Sequence, residues 1–153
     1  MIQTVIDLLN EARLRELQAI NQYMVHRHEL ENKDFDEFAS KIREIAVVKT
    51  KHAEKLAETI LSLKGESISG VDTTPIKHQE IPERIATDIA LERQAVNIYN
   101  EGAVICSSEK DQTSKDLFEE FLSDEESHLT FFENIKDHVD KLGTAYIATL
   151  TGK

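Results

Sequence analysis

The sequence predicts an all-α protein, a four-helix bundle with one long crossover connection and a short C-terminal fifth helix. Aromatic residues make up only 6% of the 153 residues, and the chain has 5 Gly and 2 Pro. This composition disfavours a β-sheet, which needs more aromatic residues and more turns. Four long segments repeat apolar residues with a helical period. The length fits a single domain over residues 1–153.

The first two helices are predicted over about residues 2–31 and 36–64. Asp34 lies in the break between them and is placed to cap the second helix, with Glu37 completing a capping box. Gly65 ends the second helix, as glycine commonly does. Because the turn is short, the two helices are expected to be antiparallel.

A long connection, residues 65–80, separates the two helix pairs and contains Gly, Ser, Thr and Pro75. It is long enough to run back along the bundle, as a crossover does. The third helix is predicted over about residues 82–106, because Pro82 is favoured at the first helical position.

The fourth helix is predicted over about residues 112–142, after a turn marked by Asp111. It ends at Gly143, and a short fifth helix is expected over residues 144–150. The turn between the third and fourth helices is also short, so this pair is antiparallel, which completes a four-helix bundle.

Charge and cysteine content restrict the class of function. The net charge is −11 and the isoelectric point is near 5.0, so the surface repels nucleic acid and anionic membranes and attracts small cations. The single cysteine, Cys106, excludes an intramolecular disulfide framework and a Cys-based zinc site. We find no leader peptide and no apolar run of the roughly 20 residues that span a bilayer. These features favour a cytoplasmic protein with no nucleic-acid or membrane partner.

The chain contains an internal repeat. Residues 16–23 (Glu-Leu-Gln-Ala-Ile-Asn-Gln-Tyr) match residues 92–99 (Glu-Arg-Gln-Ala-Val-Asn-Ile-Tyr) at an offset of 76 residues. The same offset relates two further pairs: His52 with His128, and Lys49 with Glu125. The shared offset predicts two half-proteins that face each other across one site.

Six polar side chains interrupt the apolar stripes that the four helices should bury: Glu16, Lys49, His52, Glu92, Glu125 and His128. Charged residues are rarely buried without partners, so either a metal ion or a closed ion-pair network is expected. Residues three apart share a helix face, so Glu125 and His128 can bind one ion. Carboxylate and imidazole ligands suit iron, manganese or zinc.

These segments resemble the bacterioferritin family over nearly the whole chain. The resemblance is carried by residues 16–23, Lys51-His52-Ala53, residues 60–65, Leu91-Glu92, residues 124–128, and Leu142-Gly143 with Tyr146. Ferritin-like carboxylate proteins use one Glu from each of two helices and Glu-x-x-His from the other two. The resemblance implies a homo-oligomeric cage of 24 subunits, built from dimers. Such a cage oxidises Fe(II) with O₂ or peroxide at a di-iron centre inside each subunit and stores the iron.

The same resemblance implies roles for individual residues. Glu16 and His52 would bind one iron, Glu92 and His128 would bind the other, and Glu125 would bridge them. Non-haem iron is then the expected cofactor, with zinc or manganese as alternatives.

Two positions depart from the family pattern. Lys49 stands where the family has a second bridging Glu, and Thr50 stands where it has the haem-ligating Met, so we expect no Met-ligated haem. Met24 lies on another helix and is expected to fill the core.

The charge sum suggests how Lys49 changes the site. Three Glu and one Lys sum to −2, which one divalent ion or two protonated His would balance. Two ions beside the ammonium would leave about +2 in a poorly solvated space, at a cost of several kcal/mol. Our hypothesis is that Lys49 takes the place of one metal ion, leaving a mono-metal or metal-free site. Alternatively, the Lys49 stem extends to solvent and the two-metal site is nearly normal.

Tyr23 and Tyr99 each follow an expected ligand Glu by two helical turns. Either tyrosine could donate an electron during O₂ reduction or hydrogen-bond a carboxylate, and Tyr23 is the stronger candidate; simple packing is the alternative. The remaining histidines are expected at the surface: His26, His28, His78 and His138.

Three functions are compatible with these features. The first is iron oxidation and storage at an altered centre, with ferroxidase activity impaired by Lys49. The second is a structural cage subunit without its own catalysis. The third is a ferritin-like enzyme that consumes peroxide.

Overall fold

The computed structural model describes residues 1–152, and this part of the chain folds into a bundle of helices without strands. The helices are α1 (Ile2–Asn32), α2 (Asp36–Ser62), α3 (Ile81–Ser108), α4 (Gln112–Leu142) and α5 (Thr144–Thr149). The predicted all-α class is confirmed. The α1 helix packs mainly against α2, and α3 mainly against α4, while contacts between α1 and α3 join the pairs. Within residues 1–152, every helix is too short or too polar to cross a membrane.

The α2 helix begins at the predicted residue, Asp36, and ends two residues before the predicted one, but different residues from those expected form its two ends. Capping by Asp34 is wrong: Phe35 directly precedes the helix, no side chain caps it, and Asp34 has a φ of 64°. Asn and Asp tolerate this left-handed backbone better than most residues, so Asp34 forms the turn instead. At the other end, Lys64 rather than Gly65 adopts a positive φ, of 66°.

The other helix ends follow the expected local chemistry. Pro82 occupies the first turn of α3, where its missing N–H costs no hydrogen bond. The Asp111 side chain caps α4 by accepting a hydrogen bond from the Ser114 backbone N–H at 3.0 Å. Gly143 follows α4 with a φ of 58°, a conformation that glycine adopts without steric cost.

The crossover between α2 and α3 runs along α1. The backbone N–H of Ile68 donates to the Asn10 side chain at 2.9 Å. Further along, the Gln22 amide donates to the Ile76 carbonyl and accepts from its N–H, both at 2.8 Å. Because the contacts advance in the direction of α1, the crossover returns the chain along the bundle as predicted.

The core consists of two apolar clusters. One includes Tyr23, Ile42 and Phe132, and the other includes Leu9 and Phe118. The six polar side chains predicted to face inward lie in the bundle interior on the same helix faces as these clusters. The bundle therefore carries a polar layer in its middle, which is costly unless its charges find partners.

Three predicted positions are wrong. Met24 was expected to fill the core, but 48% of its surface is exposed, because its helix face lies beside the exposed part of the crossover. Leu142 continues the spacing of the α4 apolar stripe after Ile135 and Val139, which predicts a buried side chain, yet it is 58% exposed because the chain turns away at Gly143. His26 was expected at the surface and is fully buried, because Asp88 on α3 lies opposite it.

Candidate metal centre

The four long helices bring all six predicted polar side chains into one buried layer. Their exposed fractions are 1% for Glu16, 0% for Lys49, 3% for His52, 0% for Glu92, 0% for Glu125 and 9% for His128. The helical period explains their common orientation, since each lies on the apolar stripe of its own helix.

The ammonium group of Lys49 lies among three carboxylates. Its Nζ donates to Glu125 Oε2 at 2.5 Å and lies 3.2 Å from Glu92 Oε1 and 3.5 Å from Glu16 Oε1. The alternative in which the Lys49 stem reaches solvent is therefore wrong. Burial by itself would lower the pKa of Lys49, but the three carboxylates outweigh it and raise this pKa above its ordinary value, so the side chain stays charged.

On the α1–α2 side, His52 has a partner at each ring nitrogen. Its Nδ1 lies 3.2 Å from Glu16 Oε2 and 3.0 Å from Glu125 Oε1, and its Nε2 lies 2.8 Å from Asp124 Oδ2. The ring stacks on Phe121 at 3.9 Å between centroids. Burial opposes the imidazolium form, but the adjacent carboxylates raise the pKa of His52 to about 10. The prediction missed Asp124, although it directly precedes Glu125 in the sequence.

On the α3–α4 side, His128 is less well partnered. Its Nδ1 lies 3.7 Å from Glu92 Oε2 and 3.6 Å from Glu125 Oε2, beyond hydrogen-bond range. Within residues 1–152, His128 Nδ1 and Glu92 Oε2 are both buried without a hydrogen-bond partner. Burial opposes the charged imidazole, but both carboxylates raise the pKa of His128 to about 9. Burial raises the pKa of Glu92 to about 7, against the opposing effect of Lys49.

The two predicted tyrosines face the carboxylate of the opposite repeat. The Tyr23 hydroxyl on α1 donates a short hydrogen bond to Glu92 Oε1 on α3. Within residues 1–152, the Tyr99 hydroxyl on α3 has no hydrogen-bond partner. The negative charge of Glu16 on α1 is nevertheless close enough to raise the pKa of Tyr99. Burial and these carboxylates raise the pKa of both tyrosines well above the ordinary value, so both stay protonated.

The carboxylates and imidazoles of the layer offer two overlapping sets of metal-ligand atoms. Two ligand groups, each with donor atoms within 4.8 Å of one another, share Glu125: Glu16 with His52 and Glu125, and Glu92 with Glu125 and His128. The ammonium of Lys49 lies between these groups and contacts all three carboxylates. Two divalent ions beside a fixed ammonium would leave uncompensated positive charge in a dry interior.

A second buried polar cluster lies one helical turn from the site. His26 Nδ1 lies 2.9 Å from Asp88 Oδ1, and His26 Nε2 lies 3.0 Å from Gln79 Oε1 of the crossover. Burial raises the pKa of Asp88, although His26 opposes this shift. His26 follows Tyr23 by three residues on the same helix face, but this spacing fits a solvated position as well as a buried one. The cluster ties the crossover to α1 and α3.

Comparisons with known proteins agree with this architecture. The ferritin-like domain family matches residues 6–142. The bacterioferritin of Desulfovibrio desulfuricans is 34% identical over 148 residues, covering 97% of this chain and 83% of that protein. A crystal structure of that bacterioferritin, which describes the diiron site in different catalytic states, aligns with a TM-score of 0.95 and 34% identity over 99% of this chain and 89% of that chain.

A second solved structure is the bacterioferritin of Rhodobacter capsulatus, described with a metal-free dinuclear site and with haem iron in a crystallographic special position. It aligns with a TM-score of 0.92 and 33% identity, covering 97% of this chain and 93% of that chain. The similarity thus extends over nearly the full length of both proteins.

Proposed function

Because this chain belongs to the ferritin-like family and has bacterioferritins as relatives over nearly its whole length, we propose that it binds and stores iron as a subunit of a hollow cage. The cage consists of 24 subunits assembled from dimers, and it works in the cytoplasm. The excess of acidic residues, with a net charge of −11, supports a cationic cargo.

One observation supports a site that differs from that of a two-metal ferroxidase. The Lys49 ammonium lies within 3.5 Å of carboxylate oxygens of Glu16, Glu92 and Glu125. Together with protonated His52 and His128, it can neutralise the three carboxylates without any metal. The layer is therefore an ion-pair network that supports the fold by itself.

Slow oxidation of Fe(II) by this subunit follows from that charge balance. Reduction of O₂ to peroxide takes two electrons, and each Fe(II) supplies one, so fast oxidation needs two ions side by side. The carboxylate and imidazole donors of this subunit accommodate only one such ion. Storage therefore depends on slow oxidation here or on faster oxidation by another subunit type in the same cage.

The haem content should also differ from that of a relative that binds haem iron through a methionine at this position. Thr50 lies on the exposed face of α2, where its hydroxyl donates to the Ala46 carbonyl at 2.9 Å. A threonine hydroxyl is a poor axial ligand for haem iron, which proteins bind through His, Met, Cys or Tyr. We infer that purified protein lacks Met-ligated haem.

Assembly and oxidation measurements test this function. The wild-type protein should elute as a 24-subunit particle, accumulate an iron core, and show slow initial Fe(II) oxidation in stopped-flow absorbance. Lys49→Glu should oxidise Fe(II) faster, because a carboxylate replaces the ammonium at the bridging position. Lys55→Glu is the matched control, since Lys55 lies on the same helix and is 51% exposed at its side chain.

The outcomes separate the candidate functions. A small dimer that consumes peroxide and stores no iron would favour the enzymatic alternative. A cage that takes up iron only when mixed with an active relative would indicate a structural subunit. Fast oxidation by the wild-type protein, unchanged in Lys49→Glu, would contradict the role of Lys49.

A further inference from the structure

We propose that the layer binds a single divalent cation through Glu92, Glu125 and His128, and that the Lys49 ammonium replaces the second cation permanently. This inference rests on the proposed function for the identity of the physiological ion, iron(II). The ligand assignment itself concerns only this chain's side chains, and any divalent ion that accepts carboxylate and imidazole ligands can probe it.

Buried atoms without hydrogen bonds indicate that the cation binds on the α3–α4 side of the layer. Within residues 1–152, Glu92 Oε2 and His128 Nδ1 are buried without hydrogen bonds, and they lie 3.7 Å apart. Glu125 Oε2 lies 3.6 Å from the same nitrogen. With metal–ligand bonds of about 2.1 Å, two ligands of one tetrahedral ion lie about 3.4 Å apart. Glu92 Oε2 and Glu125 Oε2 are therefore too far from His128 Nδ1 to form hydrogen bonds with it. Their distances from this nitrogen are close to the spacing expected for ligands of one ion.

The α1–α2 side is already satisfied. His52 Nδ1 bonds Glu16 at 3.2 Å and His52 Nε2 bonds Asp124 at 2.8 Å. Two atoms on this side lack a hydrogen bond within residues 1–152, the Tyr99 hydroxyl and Glu125 Oε1, and His52 Nδ1 already lies 3.0 Å from Glu125 Oε1. An ion on this side would have to break the hydrogen bond between His52 and Glu16.

Charge limits the number of ions to one. The carboxylates of Glu16, Glu92, Glu125 and Asp124 contribute −4. Lys49 contributes +1, and His52, which donates to a carboxylate from each ring nitrogen, contributes another +1. One divalent ion beside a neutral His128 therefore makes the layer neutral. A second divalent ion would add two uncompensated charges in a medium that screens them poorly. His128 has an exposed fraction of 9%, the largest of the six residues.

Equilibrium dialysis of metal-depleted protein against Zn²⁺ tests the assignment. Wild type should bind one tight Zn²⁺ per subunit. His128→Leu and His52→Leu form a matched pair, because each replaces an imidazole with an apolar group of similar size. His128→Leu should weaken the tight site at least about 100-fold, more than typical outer-shell changes, whereas His52→Leu should change it less than about tenfold. Lys49→Glu should bind two.

Anomalous scattering at the zinc edge provides a second measurement that does not depend on variants. The expected peak lies within bonding distance of Glu92, Glu125 and His128. A peak beside Glu16 and His52 would overturn the assignment, as would two buried peaks per subunit or peaks only at the protein surface.

The two proposals fail in different ways. A cage that stores iron but shows no buried zinc peak contradicts the single-ion site and leaves the storage function intact. One buried Zn²⁺ per subunit in a protein that neither assembles nor stores iron supports the site and contradicts the storage function.

Discussion

Replacing Lys49 with Met tests whether the ammonium stabilises the bundle. Methionine has an unbranched side chain of similar length, so Lys49→Met mainly removes the charge and leaves little cavity. In wild type the ammonium lies 2.5 Å from Glu125 Oε2 and 3.2 Å from Glu92 Oε1. In the variant these carboxylates face each other without that cation, inside a layer with almost no solvent contact.

The size of the effect follows from burial. Removing one partner of a buried ion pair costs about 3–5 kcal/mol, because the other charge stays buried without compensation. Proton uptake limits this cost, since burial already raises the pKa of Glu92 to about 7 despite the Lys49 charge. We therefore expect the largest loss near pH 8. For a chain of this size, 1 kcal/mol corresponds to about 2–4 °C in Tm, which gives a decrease of about 6–20 °C.

Thermal unfolding with excess chelator at pH 8 measures this loss. The control is Lys55→Met, because Lys55 and Glu120 form an exposed pair at 3.5 Å, worth at most about 1 kcal/mol. Adding Zn²⁺ at 100 times its dissociation constant should restore about 2.7 kcal/mol per additional bound ion in Lys49→Met. Equal losses of stability in Lys49→Met and in the control without metal would contradict a stabilising role for the buried ammonium.

Further expected outcomes concern pH and packing. With chelator, the free energy of unfolding in urea should fall from pH 8 to pH 10. The pKa values of His128 and His52 are raised to about 9 and about 10, so their stabilisation is complete below pH 6.5 and is lost as pH rises through the folded values; a rising profile would contradict this. Asp88→Asn should cost about 1–3 kcal/mol in urea, because it removes the charged partner of a buried imidazole, while zinc stoichiometry stays unchanged. Gly102→Ala should lower the free energy of unfolding by about 1–3 kcal/mol, because a Cβ at this position would lie 2.7 Å from the buried ring of Phe118. Gly70→Ala, where a Cβ has open space, should stay within about 0.5 kcal/mol of wild type in the same assay.

Helix periodicity explains why much of the architecture could be predicted. Positions such as Ile42 and Phe132 recur at the spacing that places side chains on one helix face, and both are fully buried. Local rules were less reliable where one residue had two roles. Asp34 has the chemistry of a helix cap and also tolerates a left-handed backbone, and the short turn requires the second property.

The buried partner of His26 illustrates a different limit. A histidine one turn after Tyr23 fits either a solvated face or a buried one, because the adjacent positions of α1 include both a buried residue, Tyr23, and an exposed one, Met24. The choice depended on Asp88, which lies on another helix 2.9 Å away. Contacts between distant segments of the chain are not encoded in the spacing of either segment.

The sequence by itself determined which six polar side chains face inward and at what common height, because an α-helix turns by a constant angle per residue and the repeat offset aligns the two halves. Only the tertiary structure decided where the ends of those side chains lie. The Lys49 stem has four rotatable carbons, and the packing of the other three helices brings its ammonium within reach of the carboxylates of Glu16, Glu92 and Glu125. The same packing satisfies His52 and leaves His128 without a hydrogen bond at Nδ1 within residues 1–152.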